Sequence, residues 1–296
     1  MGITLYKNAD WILTVNEKRE KFRHGDLLIS GKEILDVGND LEKKYAGKLQ
    51  IDKTIDAKGT VILPGFVNIH HHTWQSLIRN IQATRGLKLE PWLTVMYEIY
   101  KDLNTDVARA GVYSGLGDML KTGCTTSNDL WYPHPVGVKY LVDAEIQAAA
   151  EIGIRFHPTR GFHSVPSDIV PPEVVDTKES VTEDTIRLVK KYHDRSRFSM
   201  CQVGIAPSIA QYETEDIIEA VVDLAEEYDI MVHGHLAESQ HEVEYTLKTW
   251  GCRPFEWFKR HRLLGKRFYF AHCIHLNEEE IEQMAETETG VAHCPI

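Results

Sequence analysis

From residue 60 onward, short apolar runs alternate with amphipathic stretches. This alternation constrains the fold more than any other feature of the chain, because it is the pattern of parallel β/α units. The candidate strands are 61–68, 125–130, 154–159, 201–206, 230–235, 268–272 and 290–294. Between them, 105–122 and 139–152 read as helices ended by Gly123 and Gly153, and 214–228 and 277–288 as two more. Asn277 followed by Glu280 gives the last of these a capping-box start.

The pattern predicts an α/β fold, a (β/α)8 TIM-type barrel over 61–296. A complete barrel takes about 250 residues, and only seven candidate strands are found. The eighth strand and a C-terminal β-segment are therefore expected to be absent from this chain, with the natural protein continuing beyond Ile296. Residues 1–60 read differently. Runs at 11–15, 25–30, 33–37, 51–55 and 60–63 are β-rich and broken by Gly, Asn and Asp, so 1–60 is expected to be the N-terminal part of a small β-sandwich domain. Residues 163–182, with Pro166, Pro171 and Pro172, read as a long loop.

Composition removes several classes of function. A net charge of −11 argues against a nucleic-acid partner, which calls for a basic footprint. No run approaches the ~20 apolar residues of a membrane span, and the N-terminus lacks the basic and apolar regions of a secretory signal. Five widely spaced cysteines, with no Cys-x-x-Cys, form neither a disulfide framework nor a cysteine metal site. A reducing cytoplasm is the expected compartment. The expected partner is a small molecule, with assembly as a homo-oligomer.

The histidines point to chemistry. In Pro64-Gly-Phe-Val-Asn-Ile-His-His-His72, the alternation of a strand turns His70 and His72 to one side and His71 to the other. The pair suits one metal ion, or simply a histidine-rich turn. In His233-Gly-His-Leu-Ala-Glu238, His235 ends a strand, and Glu238 reaches the same place or starts a helix. His272 closes a third apolar run, with His275 three residues on, and His293 follows a fourth. In a parallel barrel the C-terminal ends of all strands open on one face. One metal site built from several strands explains four histidine-tipped strands together. Nitrogen ligands suit one Zn2+ ion, with Fe2+ the second choice.

At these motifs the chain resembles the amidohydrolase superfamily, in its deaminase and chlorohydrolase branch. Pro64-Gly-Phe-Val-Asn-x-His-x-His72 is similar to its first-strand motif, His-Leu-Ala-Glu238 to its fifth and Ala-His-Cys273 to its sixth. His-His-His-x-x-Gln75 and Thr159-Arg160-Gly161 further resemble enzymes acting on 8-oxoguanine and related oxidised purines. Similar segments occur in guanine, pterin and s-triazine aminohydrolases. The resemblance implies His70, His72 and His235 as metal ligands, Glu238 as the proton shuttle and His272 as the group that steadies the added oxygen. A fourth ligand, an Asp ending strand eight, has no counterpart up to residue 296. The implied reaction is hydrolytic deamination of a nitrogen heterocycle. The alternatives are loss of chloride or alkylamine from an s-triazine, or a non-catalytic binding role. Substrate contacts are expected from Gln75, Arg160, Trp92 and His275, although a surface Gln, a structural salt bridge and a packing Trp fit the same positions. Trp74, His163 and Gln211 are weaker candidates.

Overall fold

In the computed structural model, which describes residues 2–294, the chain divides into two units, Met1–Phe66 and Val67–Ile296. Pro295 and the expected continuation past Ile296 lie outside the described residues.

The first unit is one mixed five-stranded sheet. Its strands are β1 (Ile3–Leu13), β2 (Lys21–Ser30), β3 (Glu33–Gly38), β4 (Lys53–Asp56) and β5 (Val61–Ile62). β1 pairs antiparallel with β2, and β2 with β3; β4 and β5 both run parallel to β1, at its two ends. A bulge between Tyr6 and Ala9 puts Asn8 at φ 61°. The freed Asn8 N–H donates to buried Asp26, which also accepts from Leu41 N at the start of α1 (Leu41–Tyr45). One carboxylate thus satisfies a bulge and a helix end. The run 61–68, read as a single barrel strand, is two strands in different sheets. Pro64 and Gly65 divide it, and β5 stays with β1.

The second unit is a seven-stranded sheet of β6 (Phe66–Asn68), β7 (Cys124–Trp131), β8 (Arg155–Phe162), β9 (Gly204–Pro207), β10 (Val232–Leu236), β11 (Phe268–His272) and β12 (Gly290–Ala292). The strands lie side by side in chain order, and the pairs from β7 to β12 are parallel. The helices are α2 (Leu89–Tyr100), α3 (Thr105–Lys121), α4 (Leu141–Ile152), α5 (Lys178–Tyr192), α6 (Glu215–Tyr228), α7 (Gln240–Trp250), α8 (Pro254–Arg260) and α9 (Glu278–Thr287). The Asn277–Glu280 capping box is formed. The segment 163–182 is irregular only as far as Thr177, whose hydroxyl caps α5 through Ser180 N.

The sheet curls. β6 and β10 are four positions apart in strand order, which in a flat sheet means about 19 Å. Yet the rings of His70, just past β6, and His235, on β10, have centroids 5.0 Å apart. Close strand packing makes this possible at glycines. A Cβ on Gly161 of β8 would lie 2.5 Å from the Trp131 carbonyl oxygen and 2.9 Å from Tyr132 Cα. Those atoms are backbone of the neighbouring strand and its exit, and cannot swing aside. Gly161→Ala is therefore expected to destabilise the fold by about 1–3 kcal/mol. Urea unfolding of the two proteins checks this, and an unchanged midpoint would contradict it.

Candidate metal centre and active-site cavity

Three imidazoles converge at the ends of the strands. His70, His72 and His235 each offer a ring nitrogen, and these atoms lie within 4.8 Å of one another. Every Nδ1 is engaged away from that point. His72 Nδ1 is 2.7 Å from the Leu130 carbonyl, and His235 Nδ1 is 2.6 Å from the Ser208 carbonyl. A carbonyl only accepts, so both Nδ1 atoms carry the proton and both Nε2 atoms are bare. His70 Nδ1 lies 2.8 Å from His233 Nε2. Burial holds all three rings in their neutral form, with His72 pushed down to about 3. Two bare Nε2 lone pairs, on His72 and His235, face each other at 3.2 Å. That contact is repulsive unless a cation shares it, so the donor set fits a divalent metal with nitrogen affinity.

Glu238 and His272 stand beside these rings. Glu238 Oε1 is 3.4 Å from His272 Nε2. Burial, reinforced by the charge of Glu90, raises the Glu238 carboxyl to about 7. Its backbone N–H is held by Glu242 Oε2. The His272 ring stacks on His235 with centroids 5.3 Å apart and planes at 12°. To bring it there the backbone turns left-handed at both His272 (φ 72°) and Cys273 (φ 57°). Such a conformation costs about 1–2 kcal/mol per residue. Hydrogen bonds from Cys273 N to Leu236 O and from His275 N to Ala237 O hold the turn against β10 and its exit.

A cavity of about 680 Å3 opens over the four imidazoles and the Glu238 carboxylate. Gln75 and Trp92 line it, as do His163, Gln211, Tyr97, Tyr132 and Glu90. Gln75 Nε2 donates to Tyr100 Oη, which leaves its oxygen free as an acceptor. Tyr97 Oη and His163 Nε2 are 2.5 Å apart. Trp74 is buried beneath the cavity against Trp131 and does not line it. Tyr97 and Glu90 went unread in the sequence because α2 was not recognised there. His233 lies two residues before His235 and so faces the same way, a signal that was present and unused.

Two expected substrate contacts lie elsewhere. Arg160 does not reach this cavity. Its position on β8 turns it outward, where it is 2% exposed and makes a bidentate pair with Asp176 and a further contact to Asp184. It lines a separate cavity between the exit of β7 and α5. His275 is half-buried past β11, and its carbonyl accepts from Arg253. His293 is exposed just past β12.

Behind the metal motif lies a buried acid pair. Thr73 N donates to Asp129 Oδ1, and Thr73 Oγ1 donates to Glu145 Oε1. The remaining oxygens, Asp129 Oδ2 and Glu145 Oε2, have no other partner, and the two carboxyls hydrogen-bond each other. Two acceptors can do so only around a shared proton. Burial raises both above the usual carboxylate range, and the charge of Asp129 raises Glu145 further.

A parallel β/α sheet whose strand ends bring several imidazoles to one point is the setting of metal sites built from several strands. The chain belongs to the amidohydrolase family, whose sequence profile matches residues 61–296. It is 33% identical over 243 residues to 8-oxoguanine deaminase of Pseudomonas aeruginosa, covering 81% of this chain and 54% of that protein. It is 28% identical over 305 residues to hydroxydechloroatrazine ethylaminohydrolase of Pseudomonas sp. strain ADP, covering 100% of this chain and 63% of that one. The chain thus spans between half and two thirds of the length of these relatives. Among solved structures, atrazine chlorohydrolase from Arthrobacter aurescens TC1 complexed with zinc superposes with a TM-score of 0.90 at 25% identity, over 99% of this chain and 65% of that one.

Two outcomes follow from the burial. Arg160→Leu leaves Asp176 buried without its counter-charge and is expected to cost about 3–5 kcal/mol in urea unfolding. Metal content per folded chain should not change; a loss of metal would place Arg160 in the site after all. The acid pair gives a pH dependence. Its carboxyls are raised in the fold and ordinary in the unfolded chain, so the unfolded state releases protons first and stability falls as pH rises above the ordinary carboxyl range. Asp129→Asn removes one titrating member and should flatten that decline between pH 5 and 8. Parallel slopes for the two proteins would contradict the shared proton.

Proposed function

We propose that this chain carries the catalytic centre of a metal-dependent hydrolytic deaminase acting on an amino-bearing nitrogen heterocycle, with an oxidised purine such as 8-oxoguanine as the preferred substrate. The observation that carries the reading is Glu238. A half-buried carboxyl raised to about 7 stands in the same cavity as three bare imidazole nitrogens and is no part of that triplet. A group of that pKa both takes and gives a proton near neutral pH. The relationship to 8-oxoguanine deaminase supports the purine preference.

His70, His72 and His235 would hold the metal, and zinc suits their donor set. A divalent ion held there would supply a water acidic enough to react near neutral pH. Glu238 carries one proton of the attacking water to the ring nitrogen next to the carbon under attack. The new C–O bond forms; Glu238 then carries the proton left on the added oxygen to the amino group, the C–NH2 bond breaks as the carbonyl forms, and ammonia leaves. His272, kept neutral by burial at a pKa of about 4, hydrogen-bonds the added oxygen. Gln75 meets the heterocycle edge, and Trp92 its face.

The test is ammonia release from a panel of purines, pterins and s-triazines. The expected result is fastest release from 8-oxoguanine. Release of chloride or alkylamine from triazines alone would replace the deaminase reading by the triazine one, and no turnover of any compound would end both. Glu238→Gln should retain the metal and lower turnover by about 10²-fold or more; unchanged turnover would remove Glu238 from the reaction.

A further inference from the structure

Of the three convergent rings, His70 is anchored differently. His72 and His235 give their Nδ1 protons to main-chain carbonyls. His70 has a side chain as its partner, His233 of β10. We propose that His233 is a positioning residue for His70, accepting its Nδ1–H and so fixing the tautomer and the aim of the ring that presents Nε2 to the metal. This rests on the metal-centre reading given under Proposed function.

The proton positions follow by elimination. His233 Nδ1 lies 3.0 Å from the Tyr269 carbonyl, which can only accept. The proton of His233 is therefore on Nδ1. The ring is fully buried, and an imidazole whose one proton is on Nδ1 offers Nε2 as a bare acceptor. His70 Nδ1, at 2.8 Å, must be the donor, and His70 Nε2 is then bare. The relay runs from a carbonyl on β11, through a ring on β10, to the ring past β6. It ties the aim of His70 to the pairing of two strands on the far side of the curled sheet.

The geometry of the acceptor matters. A carbonyl oxygen accepts over a broad range of directions. An imidazole nitrogen has one lone pair, in the ring plane. The His233 plane is itself set by stacking on Tyr269, with centroids 4.1 Å apart and planes at 11°. His70 is thus aimed more narrowly than a carbonyl would aim it. Where only volume is needed, a phenylalanine would fill the space without two buried nitrogens to satisfy; here both are paired, to Tyr269 O and His70 Nδ1.

Two variants separate the acceptor from the bulk. His233→Phe keeps the ring volume and the stack on Tyr269 but cannot accept. His233→Gln can place an oxygen near the position of Nε2. The readouts are the zinc dissociation constant by chelator competition and thermal unfolding of the metal-stripped proteins. H233F is expected to bind zinc about 10–100-fold more weakly, the usual effect of removing a partner behind a ligand. H233Q is expected to return most of that loss. Zinc binding by H233F as tight as wild type, or by H233Q as weak as by H233F, overturns the proposal. Wild-type protein that binds no zinc overturns the metal-centre reading as well, which tells the two failures apart. If H233F does not fold, nitrogen-15 NMR of the zinc-loaded wild type decides. The expected signals show the proton on Nδ1 of both His70 and His233; a proton on Nε2 of His233 overturns the proposal.

Discussion

The destination of three Nδ1 protons governs the whole strand-end face. Imidazole is a symmetric-looking ring with two inequivalent nitrogens, and only the one without a proton can bind a cation. Here each proton is committed away from the cavity, to Leu130, to Ser208 and to His233. These partners sit on or just past β7, β9 and β10, so the strand pairings that curl the sheet also set the tautomers. The strained backbone at His272 belongs to the same arrangement. The left-handed turn lets a ring at the end of β11 lie flat on His235 rather than leave along the strand direction.

Two buried polar networks hold the chain around this face. Thr73 is pinned on both its N–H and its hydroxyl by the Asp129–Glu145 pair, directly after His72. On the opposite wall, Tyr97 meets His163, and the buried Glu213 carboxyl accepts from Ser208 N and Ser164 Oγ. Buried polar groups are costly unless every one has a partner. Such networks therefore allow few alternative placements of the segments they join.

Much of this was legible in the sequence, because strand and helix carry different hydrophobic periods. The run 268–272 is β11 to the residue, and the Asn277–Glu280 cap is formed. The two-residue spacing of His70 and His72 brought both rings to one point with His235. Other features were not legible. Whether 61–68 is one strand or two depends on which sheet accepts β5, a pairing with β1 some 50 residues away in the chain. Arg160 follows the strand alternation and faces the helix layer, but its end-of-strand position suggested the cavity. Asp176 and Asp184, which hold it, come from a loop and a helix that carry no recognisable signal for such a contact. The helix α2 was missed, and with it Tyr97 and Glu90.

The cavity wall has two origins. The convergent imidazoles and Glu238 stand on or just past strand ends, whereas Leu87, Leu89, Trp92, Leu93 and Tyr97 come from one continuous stretch on and just before α2. One face of that stretch is anchored by buried Met96, Tyr97 and Tyr100, and side-chain bonds join Glu90 to Ser239 and Tyr97 to His163. A lineage could therefore exchange the shape of the recess by drift within a single short segment while the reactive apparatus stays untouched. Most of the apolar wall of the recess is thus encoded apart from the residues at the strand ends, with Gln75 the exception beside the metal motif.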